Sequence, residues 1–177
     1  TGNHVWDEKE AMDFIDDEKR LLRPQNLTKG SPGKGYGIFN SKNSKKVAVI
    51  NLMGNVFMKK SDDVFLKSRE FLDQNILKEK YDFLIVDFHG EITSEKNAIG
   101  HIFDGKATLV VGTHTHIPTN DARILKGGTG YQTDAGMCGD YDSVIGMNKN
   151  NSLNKFLKKD SIKHFPATGE ASLSGVI

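Results

Sequence analysis

Three short, strongly apolar runs organise this chain: Val47-Ala48-Val49-Ile50, Phe83-Leu84-Ile85-Val86, and residues 107–111. Each lacks the polar alternation of a strand with one wet face, so each is predicted to be a strand covered on both faces. Helical periodicity separates them. Phe65, Phe71, Leu72 and Ile76 mark the buried side of a helix over 63–78, and Ala98, Ile99 and Ile102 that of a helix over 93–103, with Thr93 a candidate N-cap. Near the start, Ala11, Phe14 and Ile15 predict a helix over 7–20, with acidic residues in its first turn where they suit the macrodipole. Residues 36–39 and 46–52, joined by a polar turn, read as a hairpin. A Pro- and Gly-rich loop over 22–35 precedes it. Beyond the third run come residues 123–125, a Gly-rich turn, a short strand near 131–133, a helix over 152–158 and a C-terminal strand over 171–177.

Strands alternating with helices indicate an α/β fold, here one domain over 1–177. Open α/β sheets bind ligands beyond the carboxyl ends of their strands. Two of the three buried runs end in a histidine-bearing loop, Asp87-Phe88-His89 and Gly112-Thr113-His114-Thr115-His116. Composition narrows the classes. The 177 residues suffice for a sizeable core, and a net charge of +1 argues against gripping duplex nucleic acid through its phosphates. No apolar run approaches the ~18 residues of a membrane span. Cys138 is the single cysteine, so no internal disulfide can form, which fits a reducing cytoplasm.

In extended backbone, residues i and i+2 point the same way, so His114 and His116 can converge on one metal or on two adjacent ones; two polar residues in a surface loop would read the same. His89 ends a neighbouring strand between Asp87 and Glu91, which suits a ligand and equally a solvated strand end. Asn3 offers a neutral oxygen ligand or an N-cap for the first helix, and His4 beside it could donate a proton. Glu91 and Asp134 are candidates to orient the histidines. The stretch from Gly30 to Gly35 departs from the phosphate-cradling G-x-x-x-x-G-K-[ST] pattern and reads as a turn. Cys138, His101 and His164 read as bystanders and Trp6 as a packing residue.

Taken together and in order, these motifs resemble the calcineurin-like metallophosphoesterases, specifically the YmdB-like branch of 2′,3′-cyclic nucleotide phosphodiesterases. The residues that carry the resemblance are Thr1-Gly2-Asn3-His4-Val5-Trp6-Asp7, Asp87-Phe88-His89 and Gly112-Thr113-His114-Thr115-His116. It continues through Arg20-Leu21-Leu22-Arg23-Pro24, Pro32-Gly33-Lys34-Gly35-Tyr36 and Tyr141-Asp142-Ser143-Val144-Ile145-Gly146-Met147. The resemblance implies an α/β/β/α sandwich and two divalent or redox-active metal ions, iron or manganese, sharing a bridging hydroxide. Asn3, His89 and His114 would hold one metal, His116 would belong to the other, and His4 would be the catalytic proton donor. It also implies a small nucleotide phosphodiester substrate and is compatible with a homo-oligomer; from charge and hydropathy, no duplex nucleic acid or membrane partner is expected. The family's preceding G-D and E-N motifs are not in these residues, so the sandwich and the dinuclear centre are expected to be incomplete on the N-terminal side. Two alternatives stand beside the phosphodiesterase reading: a catalytically silent regulatory or binding module, and a mononuclear hydrolase using only the retained ligands.

Overall fold

The computed structural model describes residues 1–158 and 163–176. Its frame is a six-stranded sheet built from β1 (Tyr36–Asn40), β2 (Lys46–Met53), β3 (Phe83–His89), β4 (Leu109–Thr113), β5 (Arg123–Ile124) and β6 (Gly130–Gln132), in the order β1-β2-β3-β4-β6-β5. The β1–β2 pair is antiparallel, as the hairpin reading expects, and so is β5–β6. The pairs β2–β3, β3–β4 and β4–β6 are parallel. Helix α2 (Val64–Gln74) connects β2 to β3 and helix α3 (Thr93–Phe103) connects β3 to β4. Parallel neighbours need such crossovers, since no hairpin can join them.

One face of the sheet is sealed. Ala48, Ile50 and Leu52 of β2, Leu84, Val86 and Phe88 of β3, and Val110 of β4 form one cluster with Val64 and Phe71 of α2 and Ile99 and Phe103 of α3. The opposite face behaves differently: Val47, Val49, Ile85 and Val111 are only half-buried among the described residues. That face also carries Asn51, Asp87, His89 and Thr113, placed side by side by the pairings Asn51↔Asp87 and His89↔Thr113. Among the described residues of β2, β3 and β4, the polar side chains nearest the histidines lie on the sheet face away from the helices.

Several predicted elements are corrected in extent. The first helix, α1, covers only Glu10–Phe14, because the acidic side chains after it bond elsewhere. Asp16 accepts from the Gly33 N–H and Glu18 binds Arg20, and both pull the chain into turns. Helix α2 stops at Gln74, leaving Ile76 exposed, and Asp63 caps it by accepting from the Leu66 N–H. Thr93 is the first helical residue of α3 rather than its cap, and Ile92 occupies the cap position. Helix α4 (Lys149–Phe156) begins at an Asn148 cap. Strands β7 (Gly139–Asp140) and β8 (Ala171–Ser172) form a second, two-stranded sheet. The predicted C-terminal strand is realised at β8, and its last residue, Ile177, lies outside the described residues.

Candidate active site

Beyond the carboxyl ends of β3 and β4, Asn3, His4, His89, His114 and His116 line one cleft of about 350 Å³, together with Glu91, Thr115 and Ile145. The loop bearing Asn3 reaches the sheet only because residue 2 is glycine: a Cβ there would lie 2.5 Å from the His89 ring.

The hydrogen-bond donors and acceptors around the three innermost groups fix their orientation. Thr113 Oγ1 lies 2.8 Å from Asp87 Oδ1 and donates to it, and Asn51 Nδ2 supports the other carboxylate oxygen at 2.9 Å. With its proton committed to Asp87, Thr113 can only accept from His89 Nδ1, 3.1 Å away. His89 Nε2 is therefore a bare lone pair, and it faces Asn3 Oδ1 at 2.8 Å and His114 Nδ1 at 3.1 Å. The far nitrogen of His114, Nε2, stands 3.1 Å from Glu91 Oε2, so its proton goes there and Nδ1 also presents a lone pair. The Asn3 amide is aimed likewise, with Nδ2 3.3 Å from His4 Nε2 and its oxygen turned inward.

Three acceptors thus converge with no hydrogen between them. Burial pushes the His89 pKa down to about 3, with His114 adding to the effect, so the ring is neutral near pH 7. Burial also lowers His114, against the opposing pull of Glu91. Ligands ~2.0–2.2 Å from one metal ion stand about 3 Å apart when they meet at right angles, so these spacings suit a shared cation. Among the described residues, no group of three or more His, Cys, Asp or Glu is placed to hold a metal. The third donor of this trio is the Asn3 amide oxygen.

His116 stands apart. It is exposed, and its Nδ1–H donates to the Ile145 carbonyl at 2.8 Å, leaving Nε2 free. The two loop histidines are not in the extended backbone expected of them: His114 has φ +107° and His116 φ +68°, both in the left-handed region. The rings share a cleft because the chain coils, not because it is extended. His4 is oriented by Asp7, whose Oδ2 accepts from Nδ1 at 2.5 Å, while Asp7 Oδ1 takes Lys59 Nζ at 2.5 Å. These two partners, Lys59 first, hold the Asp7 carboxyl below its ordinary range.

The family model described as YmdB-like protein matches residues 1–177. The chain belongs to that family. It is 47% identical over 176 residues to the 2′,3′-cyclic-nucleotide 2′-phosphodiesterase of Bacillus subtilis (strain 168), covering 99% of this chain and 66% of that protein. A crystal structure of a hypothetical protein from Thermus thermophilus superposes with a TM-score of 0.86 at 40% identity, over 96% of this chain and 65% of that one. That of a phosphatase from Mycoplasma pneumoniae gives 0.83 at 36%, over 96% and 61%. The chain therefore spans about two thirds of the length of the relatives it matches.

A buried clamp holds the histidine loop, pairing the candidate Asp134 with a lysine that the sequence analysis does not single out. Lys96 of α3 and Asp134 are both 1% exposed and pair at 2.6 Å. Lys96 Nζ also donates to the Thr113 carbonyl at 3.0 Å. Asp134 Oδ2 accepts from the Thr115 N–H at 3.1 Å and its hydroxyl at 2.7 Å. Both neighbours of His114 are thus tied to one buried ion pair. The candidate Asp134 does orient this loop, through Thr115 rather than through a ring nitrogen, and Glu91 meets His114 directly. A signal existed: a lysine one turn from Ile99 on the inward face of a helix needs a buried partner.

Proposed function

We propose that this chain carries the substrate-handling part of a metal-dependent phosphodiesterase acting on 2′,3′-cyclic nucleotides. The observation that carries the reading is the convergence of Asn3 Oδ1, His89 Nε2 and His114 Nδ1 as bare acceptors 2.8 and 3.1 Å apart. Asn3, His89 and His114 would hold one metal and His116 would contribute to a second; imidazole and amide donors suit several transition metals, and the family resemblance points to iron or manganese. When bound, such ions neutralise the phosphoryl oxygens and lower the pKa of a bound water.

The remaining chemistry belongs to side chains. Hydrolysis forms a bond from phosphorus to a water oxygen and breaks the bond from phosphorus to the ribose 2′-oxygen. The departing alkoxide is a poor leaving group unless it takes a proton. On protonation His4 gives up its contact with the Asn3 amide and supplies that proton from Nε2, with Nδ1–H held by Asp7. Such a general acid contributes typically ~10²–10⁴-fold. The ring is mostly exposed, at 73%, so it can exchange protons with solvent between turnovers. The B. subtilis relative carries this activity in its name.

The test compares this chain with the same chain carrying any sequence that precedes Thr1. Manganese- or iron-dependent hydrolysis of 2′,3′-cyclic AMP is measured in both. Activity in either supports the reading, and inactivity of both with no bound metal favours a silent binding module. His4→Ala is expected to lower kcat about 10²–10⁴-fold while metal content holds. A parallel loss of metal would remove His4 from the proton-donor role.

A further inference from the structure

The turn Val144-Ile145-Gly146-Met147 forms one lip of the cleft. Val144 and Met147 exchange backbone hydrogen bonds at 2.9 and 3.0 Å, and both central residues have positive φ, +48° at Ile145 and +93° at Gly146. This is the pattern of a type I′ turn, whose first central position favours Asn, Asp or Gly. A β-branched residue there is strained, since its Cβ crowds the following carbonyl. The usual compensation is burial, yet Ile145 is 51% exposed. Nor does the site need this side chain for the carbonyl that holds His116 Nδ1, because Asn or Gly would present the same carbonyl without strain.

Strain retained at a functional cleft points to a use for the group that causes it. Among the described residues, Ile145 is the one apolar residue lining a cleft whose other residues are Asn3, Glu91, Thr115 and four histidines, and its side chain is half exposed at that lip. A cyclic nucleotide has a matching division: a charged phosphodiester for the polar end and a flat, weakly polar base that gains from an aliphatic contact. We propose that the Ile145 side chain is the specificity-determining contact for the nucleobase, set at the lip of the cleft by the strained turn. The base rests on Ile145 while the phosphate meets the Asn3 and histidine cluster, so one short turn aligns both ends of the substrate. This rests on the phosphodiesterase reading above.

The experiment uses the protein with any sequence preceding Thr1, loaded with manganese, and the variants Ile145→Asn and Ile145→Val. Two substrates are compared: 2′,3′-cyclic AMP, and ethylene phosphate, a five-membered cyclic diester with no ribose and no base. Ile145→Asn is expected to lower the ratio of kcat/KM for the nucleotide over that for ethylene phosphate about tenfold, mainly through KM. It should also raise Tm by roughly 2–4 °C as the turn relaxes. Ile145→Val, which keeps a branched apolar surface, should retain most of the ratio. An unchanged ratio in Ile145→Asn overturns the proposal. So does a fall in Tm or a change in sedimentation, either of which would mean that the side chain packs against protein rather than substrate. Wild-type protein inactive on both substrates would instead sink the phosphodiesterase reading, and the base contact with it.

Discussion

Thr113 decides which nitrogen of His89 faces Asn3. Its hydroxyl has one proton, and the Asp87 carboxylate takes it at 2.8 Å, so the Thr113 oxygen must accept from His89 Nδ1. Replacing Thr113 by Val removes that acceptor and leaves the ring free to turn or to change tautomer. Partners of this kind are typically worth ~10–100-fold in metal affinity. Thr113→Val is expected to weaken manganese binding by that factor in calorimetric titration of metal-stripped protein, and Thr113→Ser to restore it. Equal affinities in the two variants would show that Thr113 does not set the tautomer. At this scale the sequence picks out groups that the fold brings together, though partly for reasons the backbone does not follow. His89, His114 and Asn3 do converge, but the two loop histidines are brought into one cleft by left-handed backbone, which spacing cannot reveal. The alternative role of Asn3 as a cap for the first helix is not used, since that helix begins at Glu10 and Lys9 takes the cap position.

Helix α3 is legible in its limits and in part of its buried face. Of the apolar residues expected inward, Ile99 is buried and Ile102 packs against the core, while the helix also buries Glu95, Lys96, Gly100 and Phe103. Periodicity counts apolar side chains and cannot anticipate a charged one whose partner lies 38 residues away. Glu95 is occupied in the same way, accepting from the Asn55 and Val56 N–H groups at 3.1 and 3.3 Å. For Lys96→Met the removed charge leaves Asp134 buried without its cation. Breaking one side of a buried pair costs about 3–5 kcal/mol, whereas replacing both members with apolar residues is often close to neutral. Guanidinium unfolding should therefore show Lys96→Met strongly destabilised and Lys96→Met/Asp134→Leu substantially recovered. The double variant should still bind manganese more weakly than wild type, because Thr115 loses the carboxylate that holds the His114 loop. Recovery of both stability and metal affinity would reduce the pair to packing.

Across the whole molecule, the sheet was the most legible feature, because its apolar runs are short, unbroken and flanked by turns. Their continuity predicted two covered faces, yet in the described residues only the face beneath α2 and α3 is fully sealed; the other carries the polar network that serves the site. Charges on this framework set its response to acid. Burial alone would raise the Asp121 carboxyl, but the hydroxyls of Thr119 and Thr133, the Thr133 N–H and the Arg123 guanidinium bring it down to about 2 from an ordinary 3.8. Asp134 is lowered too, its burial outweighed by Lys96 and Thr115. A carboxyl with a depressed folded pKa binds its proton more weakly than in the unfolded chain. Its contribution is therefore complete above about pH 4 and is lost as pH falls toward 2. His89 acts in the same direction at higher pH. With its folded value near 3 against 6.5, the unfolded chain takes up the extra proton first, and stability declines as pH drops through that interval. Asp87, raised by burial, opposes both. Unfolding free energy of the metal-free protein should accordingly fall from pH 7 to pH 3, and fall more steeply below pH 4. Asp121→Asn cannot titrate and cannot accept from all four donors at once, so it should be less stable at pH 7 and show a flatter slope between pH 4 and pH 2. Parallel pH curves for variant and wild type would mean that the Thr119 and Thr133 contacts do not anchor Asp121 in its charged form.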